Sequence, residues 1–284
     1  MDDALKFLSK EPSAVPMAGG TEVMVLIRDG VIKPKKLLDL WPLKKKLSYV
    51  KLENGLVKIG ALTTASELSR SFLVKDHRYL GFKDLVKNFS THFIRNLATV
   101  GGNIGCAHPM SDIATLLLAL DAKVKLVSTE GVRVIPLDNA FVGLRKFARK
   151  PNELITEVFF NDKPKNSSTA FIKFDRRWGH SMGYIIVATY MELDGNVIKD
   201  VKLAYDSVGE PYPGRAKKTE EFLKGKEFSG GVLDKAFNEV LPREMRRITD
   251  YRASAEYRLE LSKILSKKAL YIIKERIERG GTRG

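Results

Sequence analysis

The sequence predicts an α+β protein, because two regions with different patterns of apolar residues follow one another along the chain. Up to about residue 165, short strand-like segments alternate with helix-like segments and glycine-containing turns. After that residue, three strand-like segments are followed only by helix-like segments. A chain of 284 residues is long enough for about two domains. We therefore expect one domain over residues 1–165 and another over 166–284.

The elements of the first region follow from local signals for turns and helix starts. The Asn-Gly pair at 54–55 tolerates positive φ and predicts a hairpin turn, and Thr64 with Glu67 fits a capping box. The Ser-Asp pair at 111–112 is a good cap for a long apolar helix. In order, we predict a helix at 4–8, a strand at 15–17, a glycine turn at 18–22, a helix at 23–27, a strand at 36–40, a hairpin at 51–60, helices from 64 and at 84–89, a glycine segment at 99–105, a helix from 111 to 120, a hairpin at 123–135 and a strand at 153–160.

The second region begins after a polar link at 161–168. The pattern predicts antiparallel strands at 171–174, 184–193 and 197–208, with the last two joined by the turn at 194–196. Helices are predicted at 216–223, 231–240 and 253–277.

The chain is basic, with 49 Lys and Arg residues against 34 Asp and Glu residues and a net charge of +15. These residues are spread along the chain, without the aromatic residues or reading motif of a nucleic-acid surface. We therefore favour a solvated or protein-docking surface and expect no nucleic-acid partner. The abundance of charged residues also suits a thermophile.

Several classes of site and location are excluded by composition. A single cysteine, Cys106, excludes an internal disulfide and any four-cysteine iron–sulfur or zinc site made by this chain alone. His92, His108 and His180 lack the paired spacing of metal ligands, so no metal site is expected. No apolar run approaches the ~20 residues of a membrane span, and the N-terminus lacks the layout of an export signal. We therefore expect a cytoplasmic protein.

Two segments with adjacent glycines are the best candidates for a binding site. They read Ala18-Gly19-Gly20-Thr21-Glu22 and Thr99-Val100-Gly101-Gly102-Asn103. Glycine allows a ligand to approach closely, and successive backbone N–H groups in such turns form anion sites. Two converging loops would suit a pyrophosphate-containing cofactor, whereas the simpler interpretation is two tight turns. Neither fits the dinucleotide fingerprint or the P-loop, which argues against a Rossmann domain and a nucleotide hydrolase.

These glycine motifs stand in a particular order with two later motifs, Pro109-x-Ser111-Asp112 and Asp250-Tyr251-Arg252-Ala253-Ser254-Ala255-Glu256-Tyr257-Arg258. Over nearly its whole length the chain resembles the FAD-binding medium subunit of the molybdenum hydroxylases. This family includes xanthine dehydrogenases, carbon monoxide dehydrogenases, archaeal aldehyde or glyceraldehyde oxidoreductases and 4-hydroxybenzoyl-CoA reductases. The last branch adds an iron–sulfur cluster to this subunit, which a single cysteine cannot support.

The resemblance implies a fold and a set of cofactor contacts. The first domain would be an FAD-binding domain of the vanillyl-alcohol oxidase type, made of two α/β subdomains, and the second a three-stranded antiparallel sheet with helices. The residues that would wrap the FAD diphosphate are Pro16, Met17, Ala18, Gly19, Gly20, Thr21, Glu22 and Val23. Those that would contact the diphosphate and ribityl region from the other side are Thr99, Val100, Gly101, Gly102 and Asn103. Asp112 would bind sugar or ribityl hydroxyls, and Phe89, Ile155 and Lys173 would make further contacts, Ile155 through its backbone.

Simpler roles remain open for several of these residues. Asp112 also suits a helix cap, Lys173 an outward charge and Phe89 a core position. The segment at 176–184 lacks an acidic residue often found there in the family. Its Trp178 or Tyr184 would either cover the isoalloxazine ring or serve as a core or loop residue.

The resemblance also implies a function without catalytic residues in this chain. It would be the FAD-binding electron-transfer subunit of a heterotrimeric molybdenum-containing hydroxylase, passing electrons from partner iron–sulfur clusters through FAD to an external acceptor. The partners would be a large molybdenum-cofactor subunit and a small 2Fe-2S subunit, in a dimer of heterotrimers. The alternatives are a stand-alone flavoprotein reductase of the same fold, such as UDP-N-acetylenolpyruvoylglucosamine reductase, and a basic nucleic-acid or scaffold-binding module without FAD.

Overall fold

A computed structural model describes residues 1–177, 181–209 and 211–281. The chain forms two compact units, and neither is continuous in sequence. The first contains residues 1–68, 90–107 and 121–162, and the second contains 69–89, 108–120 and 163–284. Two segments that precede residue 165 thus belong to the second unit. The division into functional domains at that residue stays a prediction.

The secondary structure of the described residues mixes strands of two to ten residues with helices. The strands are β1 (Val15–Met17), β2 (Leu37–Asp39), β3 (Val50–Glu53), β4 (Leu56–Gly60), β5 (Lys123–Ser128), β6 (Gly131–Pro136), β7 (Phe141–Gly143), β8 (Lys146–Phe147), β9 (Leu154–Asn161), β10 (Ser167–Phe174), β11 (Ile185–Asp194), β12 (Val197–Asp206) and β13 (Gly214–Arg215). The α-helices are α1 (Asp2–Lys10), α2 (Val23–Arg28), α3 (Lys44–Leu47), α4 (Ala65–Leu68), α5 (Gly81–Asn88), α6 (His92–Leu97), α7 (Val100–Gly105), α8 (Asp112–Ala119), α9 (Lys217–Leu223), α10 (Gly230–Lys235), α11 (Leu241–Glu244) and α12 (Ala255–Gly281). Within these residues, no helix is both long enough and apolar enough to cross a membrane.

The first unit is built on an antiparallel sheet with the strand order β3-β4-β9-β5-β6. The predicted hairpin is present, with positive φ at Asn54 and Gly55. The predicted capping box also forms at α4. There the Thr64 N–H donates to Glu67 Oε2 at 2.7 Å and the Glu67 N–H donates to Thr64 Oγ1 at 3.2 Å. β1 and β2 pair separately as a short parallel sheet.

The second unit is built on an antiparallel sheet with the order β10-β11-β12-β13. Three long strands lie where the sequence predicts strands, and the two-residue β13 is an additional edge strand. Alternate β11 residues, such as Val187 and Met191, pack in one cluster with Leu270 of α12. The residues between them are buried as well, and α8 packs against β11 and β12. Both faces of β11 are therefore covered.

The structure corrects two predictions for the segment before residue 106. The second glycine segment, predicted as a loop, is mostly the helix α7, and α6 precedes it where no helix was predicted. Each helix starts at a threonine cap. The Thr91 hydroxyl accepts the Ile94 N–H, and the Thr99 hydroxyl accepts the Gly102 N–H. These caps and tertiary packing outweigh the low helix propensity of glycine.

Candidate functional site

The first glycine motif forms the loop between β1 and α2, in the first unit. Gly20 has a φ of +71°, which favours glycine. Gly19 is required for a different reason, since a Cβ there would lie 1.8 Å from the carbonyl oxygen of Leu97. The backbone of this loop therefore lies directly against the last residue of α6.

That contact brings the two glycine motifs together, because Leu97 is only two residues before Thr99. The second motif is packed just as closely on its other side. A Cβ at Gly101 would lie 2.7 Å from the Cβ of Ala61, and the Gly101 N–H donates to the Ala61 carbonyl at 2.7 Å. Glycine at this position thus serves the close approach of two backbones.

The first motif offers hydrogen-bond donors to a ligand. Among the described residues, no group accepts a hydrogen bond from the backbone N–H of Gly19, Gly20 or Thr21, all of which are half-buried. Successive N–H groups of this kind bind phosphate oxygens. The carboxylate of Glu22, which would repel a diphosphate, lies 3.8 Å from Arg145 Nη2 and is partly neutralised by it.

Ile155 of β9 lies beside the second motif. Its Cδ1 would be 3.1 Å from a Cβ placed on Gly105, the last residue of α7. The first unit therefore brings together both glycine motifs and Ile155. Pro16 and Met17 precede the first motif on β1 and are half-buried.

Asp112 and Lys173 form a buried ion pair in the second unit. Asp112 begins α8, and its Oδ2 accepts a hydrogen bond from Lys173 Nζ on β10 at 2.9 Å. Only 8% of the Lys173 side chain and 3% of the Asp112 side chain are exposed, so Lys173 is not an outward charge. Burial raises the pKa of Asp112, although Lys173 lowers it. Ser111 is the cap residue of α8, but its side chain makes no capping hydrogen bond.

The second oxygen of this carboxylate fits the expected role of Asp112. Asp112 Oδ1 is buried and has no hydrogen-bond partner among the described residues. A buried polar atom without a partner is costly, and a hydroxyl donor from a ligand would satisfy it. The residue is therefore suited to bind a sugar or ribityl hydroxyl.

The positions of Phe89 and Tyr184 do not by themselves indicate a contact with a cofactor. Phe89 follows α5 in the second unit and is almost fully buried, so its contact with a cofactor stays a prediction. Tyr184 precedes β11 and is half-buried, with its ring 6.3 Å from the ring of Phe174. Trp178 and His180 lie outside the described residues.

The late motif at 250–258 holds several backbone turns of the second unit. Arg258 is fully buried, and its Nη1 donates to the carbonyl oxygens of Tyr184 and Ser207. Asp250 accepts hydrogen bonds from Arg258 and Arg252. Burial alone would raise the pKa of Asp250, but these arginines hold it well below its ordinary value. The motif therefore acts on the structure around β11 and β12.

Sequence reasoning missed one buried acid in this unit. Asp206, the last residue of β12, accepts hydrogen bonds from the backbone N–H groups of Ser111 and Ser207. Burial raises its pKa to about 6, although these hydrogen bonds lower it. The signal was an acidic residue inside the apolar strand predicted at 197–208, a position where ionised groups are rare.

Comparison with known proteins gives matches over almost the whole chain. Residues 1–161 match the family model for the FAD binding domain in molybdopterin dehydrogenase, and residues 169–273 match that for the CO dehydrogenase flavoprotein C-terminal domain. The glyceraldehyde dehydrogenase medium chain of Sulfolobus acidocaldarius is 31% identical over 271 residues, which cover 95% of this chain and 94% of that protein. The nicotinate dehydrogenase FAD-subunit of Eubacterium barkeri is 28% identical over 275 residues, covering 95% and 90%. A solved structure of carbon monoxide dehydrogenase from Hydrogenophaga pseudoflava that lacks the Mo-pyranopterin moiety superposes with a TM-score of 0.90 at 25% identity, covering 97% of this chain and 94% of that one.

Proposed function

Because the chain belongs to the family of FAD-binding domains in molybdopterin dehydrogenases, we propose that it is the FAD-binding electron-transfer subunit of a molybdenum-containing hydroxylase. The resemblance inferred from the sequence motifs is confirmed at the level of the family. Relatives matched over most of their length are named as medium chains or FAD subunits, which favours a subunit over a stand-alone reductase or a nucleic-acid module.

The close approach of the two glycine motifs is the observation that carries this proposal. The unpartnered N–H groups of Gly19, Gly20 and Thr21 donate to the FAD diphosphate, and the residues around Thr99 contact it from the second motif. The same proposal includes Pro16 to Val23, Thr99 to Asn103, Phe89, Asp112, Ile155 and Lys173 as cofactor contacts, in a domain of the vanillyl-alcohol oxidase type.

The remaining chemistry belongs to the cofactor and to partner subunits. When bound, FAD supplies an acceptor for single electrons and a donor to an external oxidant. This chain binds and orients it, and its positive charge stabilises the diphosphate. We further propose a complex with a large molybdenum-cofactor subunit and a small 2Fe-2S subunit, assembled as a dimer of heterotrimers in the cytoplasm.

Flavin content of the purified protein tests the proposal. The chain is produced alone and together with the proposed large and small partner subunits, and each preparation is incubated with FAD and desalted. We expect the absorption bands of protein-bound flavin at about one FAD per chain in at least one preparation, and co-purification of the two partners. Absence of bound flavin from both preparations would refute the proposed function.

A further inference from the structure

Asp206 is a buried acid that is not among the cofactor-binding residues proposed above. Only 1% of it is exposed. Its Oδ2 accepts a hydrogen bond from the Ser111 N–H at 2.8 Å, and its Oδ1 accepts one from the Ser207 N–H at 2.6 Å. Ser111 immediately precedes Asp112, so Asp206 holds the backbone from which the Asp112 side chain extends.

The backbone around these hydrogen bonds has a conformation that residues other than glycine rarely adopt. Met110 has a φ of +72° and Ser207 has a φ of +64°. Such conformations persist where surrounding contacts determine them. One carboxylate, that of Asp206, accepts hydrogen bonds at both turns, so it is a contact that keeps the two turns in place.

Asp206 lies at the N-terminal end of α8, where it accepts the Ser111 N–H and, at 3.5 Å, the hydroxyl of Thr115. The hydroxyl of Ser111, the cap residue, donates to the His108 carbonyl at 2.6 Å and makes no capping bond. Asp206 accepts the N–H of that cap residue and brings a negative charge to the start of the helix. A negative charge is favourable at this end of a helix.

The charge of Asp206 is not balanced by a neighbouring cation. Among the described residues it forms no ion pair, because Lys173 is bound to Asp112 instead. The charged or titratable residues around this region are Asp112 on α8, Lys173 on β10, Asp175 after β10, His108, whose carbonyl accepts the Ser111 hydroxyl, Arg252, whose Nη1 contacts Met110 Sδ at 3.0 Å, and Arg258 on α12, which binds a backbone carbonyl and Asp250. Burial raises the pKa of Asp206 to about 6, so its carboxylate takes up a proton in the mildly acidic range.

We propose that Asp206 is a positioning residue for FAD binding: it fixes the turn at Met110 and Ser111 and so holds the Asp112 carboxylate in place for a cofactor hydroxyl. This inference rests on the proposed function. Ionised Asp206 accepts both N–H groups, whereas protonation turns one of its oxygens into a donor and loosens the turn. The affinity for FAD therefore falls as the pH decreases through about 6.

FAD titrations at pH 7.5 and 5.0 test the proposal, with the full chain in whichever preparation binds FAD. Loss of a charge-assisted hydrogen bond predicts that the wild-type Kd is about tenfold higher at pH 5.0. The variant D206N is expected to have this raised Kd at both pH values. The matched control is D200N on the same strand, where Asp200 pairs with Lys202 at the half-buried surface. We expect D200N to bind FAD with the wild-type pH profile.

A double-mutant cycle separates positioning from a general effect on the fold. If Asp206 acts through Asp112, D206N raises the Kd in the wild-type background but adds little to D112N. Circular dichroism and thermal unfolding confirm that each titrated variant is folded. Additive effects of the two substitutions, or equal affinity and pH profile for wild type and D206N, would overturn the inference.

The outcomes also distinguish this inference from the proposed function. Failure of the wild type to bind FAD in any preparation refutes the proposed function itself. A wild type that binds FAD with the same Kd at pH 7.5 and 5.0 refutes only the role of Asp206. This measurement needs no substitution, so a pH-independent Kd refutes that role even where D206N does not fold.

Discussion

Replacement of Gly19 by alanine tests the contact that brings the two glycine motifs together. A Cβ at residue 19 would lie 1.8 Å from the carbonyl oxygen of Leu97, whereas ordinary van der Waals contact begins at 3.4 Å. The loop and the end of α6 must therefore separate by about 1.6 Å, the difference between 3.4 and 1.8 Å. Overpacking of this kind costs about 1–3 kcal/mol of the free energy of unfolding. For a chain of this size, such a cost lowers the Tm by roughly 2–12 °C.

The same movement displaces the N–H donors of the first motif from the second. Hydrogen bonds weaken steeply when donor and acceptor move apart by this distance, so we expect the Kd for FAD to rise at least ~tenfold. Urea unfolding measures the loss of stability, and titration of the folded variant with FAD measures the loss of affinity.

A second glycine provides the control for this substitution. Gly231 lies on α10 with ordinary φ, and a Cβ there would meet no atom within 4 Å. G231A is therefore expected to bind FAD normally and to be more stable by up to ~1 kcal/mol, because alanine favours a helix. If G19A matched G231A in both measurements, the contact between the motifs would not be the determinant we infer.

Three further predictions concern charge. K173M leaves the buried Asp112 carboxylate without its cation and is expected to lower the free energy of unfolding, measured with urea at pH 7.5, by about 3–5 kcal/mol. Because burial raises the pKa of Asp112, this carboxylate takes up a proton on acidification of the folded variant, so the loss of stability is smaller at pH 5.0. An equal loss at both pH values would contradict this prediction. E67A removes a carboxylate whose pKa, despite burial, is held near 2 by Lys44 and Thr64. The ionised carboxylate stabilises the fold by about 1 kcal/mol above its ordinary pKa, and this contribution is lost as the pH falls towards 2. The unfolding temperatures of wild type and E67A should therefore converge at that pH. The net charge of +15 predicts weaker assembly with acidic partner faces at high salt, and a salt-independent association constant between separated subunits would exclude this.

Local signals in the sequence predicted the elements that depend on neighbours in the chain. The hairpin at Asn54 and the capping box at Thr64 need only residues within a few positions, and both are present. The second glycine segment depends on contacts far along the chain. Its Gly101 packs against Ala61, a contact that no local pattern specifies, and it is a helix where a loop was predicted.

The candidate site was predictable only in part for the same reason. Family motifs pointed to both glycine segments and to Asp112 and Lys173. They did not indicate that these two residues, 61 positions apart, form an ion pair that leaves one oxygen without a partner. The role of Asp206 was hidden because its hydrogen bond to Ser111 spans 95 positions. Both of these long-range contacts depend on how the strands of the second unit are arranged, which local sequence patterns do not specify.

The segments of the two units alternate along the sequence, which has a consequence for synthesis on the ribosome. Helices α5 and α8 leave the exit tunnel long before strands β10 to β12, against which they pack. Both helices therefore lack these packing contacts until the second half of the polypeptide has been translated. A fragment that starts at residue 166 would lack both helices and would present bare apolar strands to water, a surface prone to aggregation.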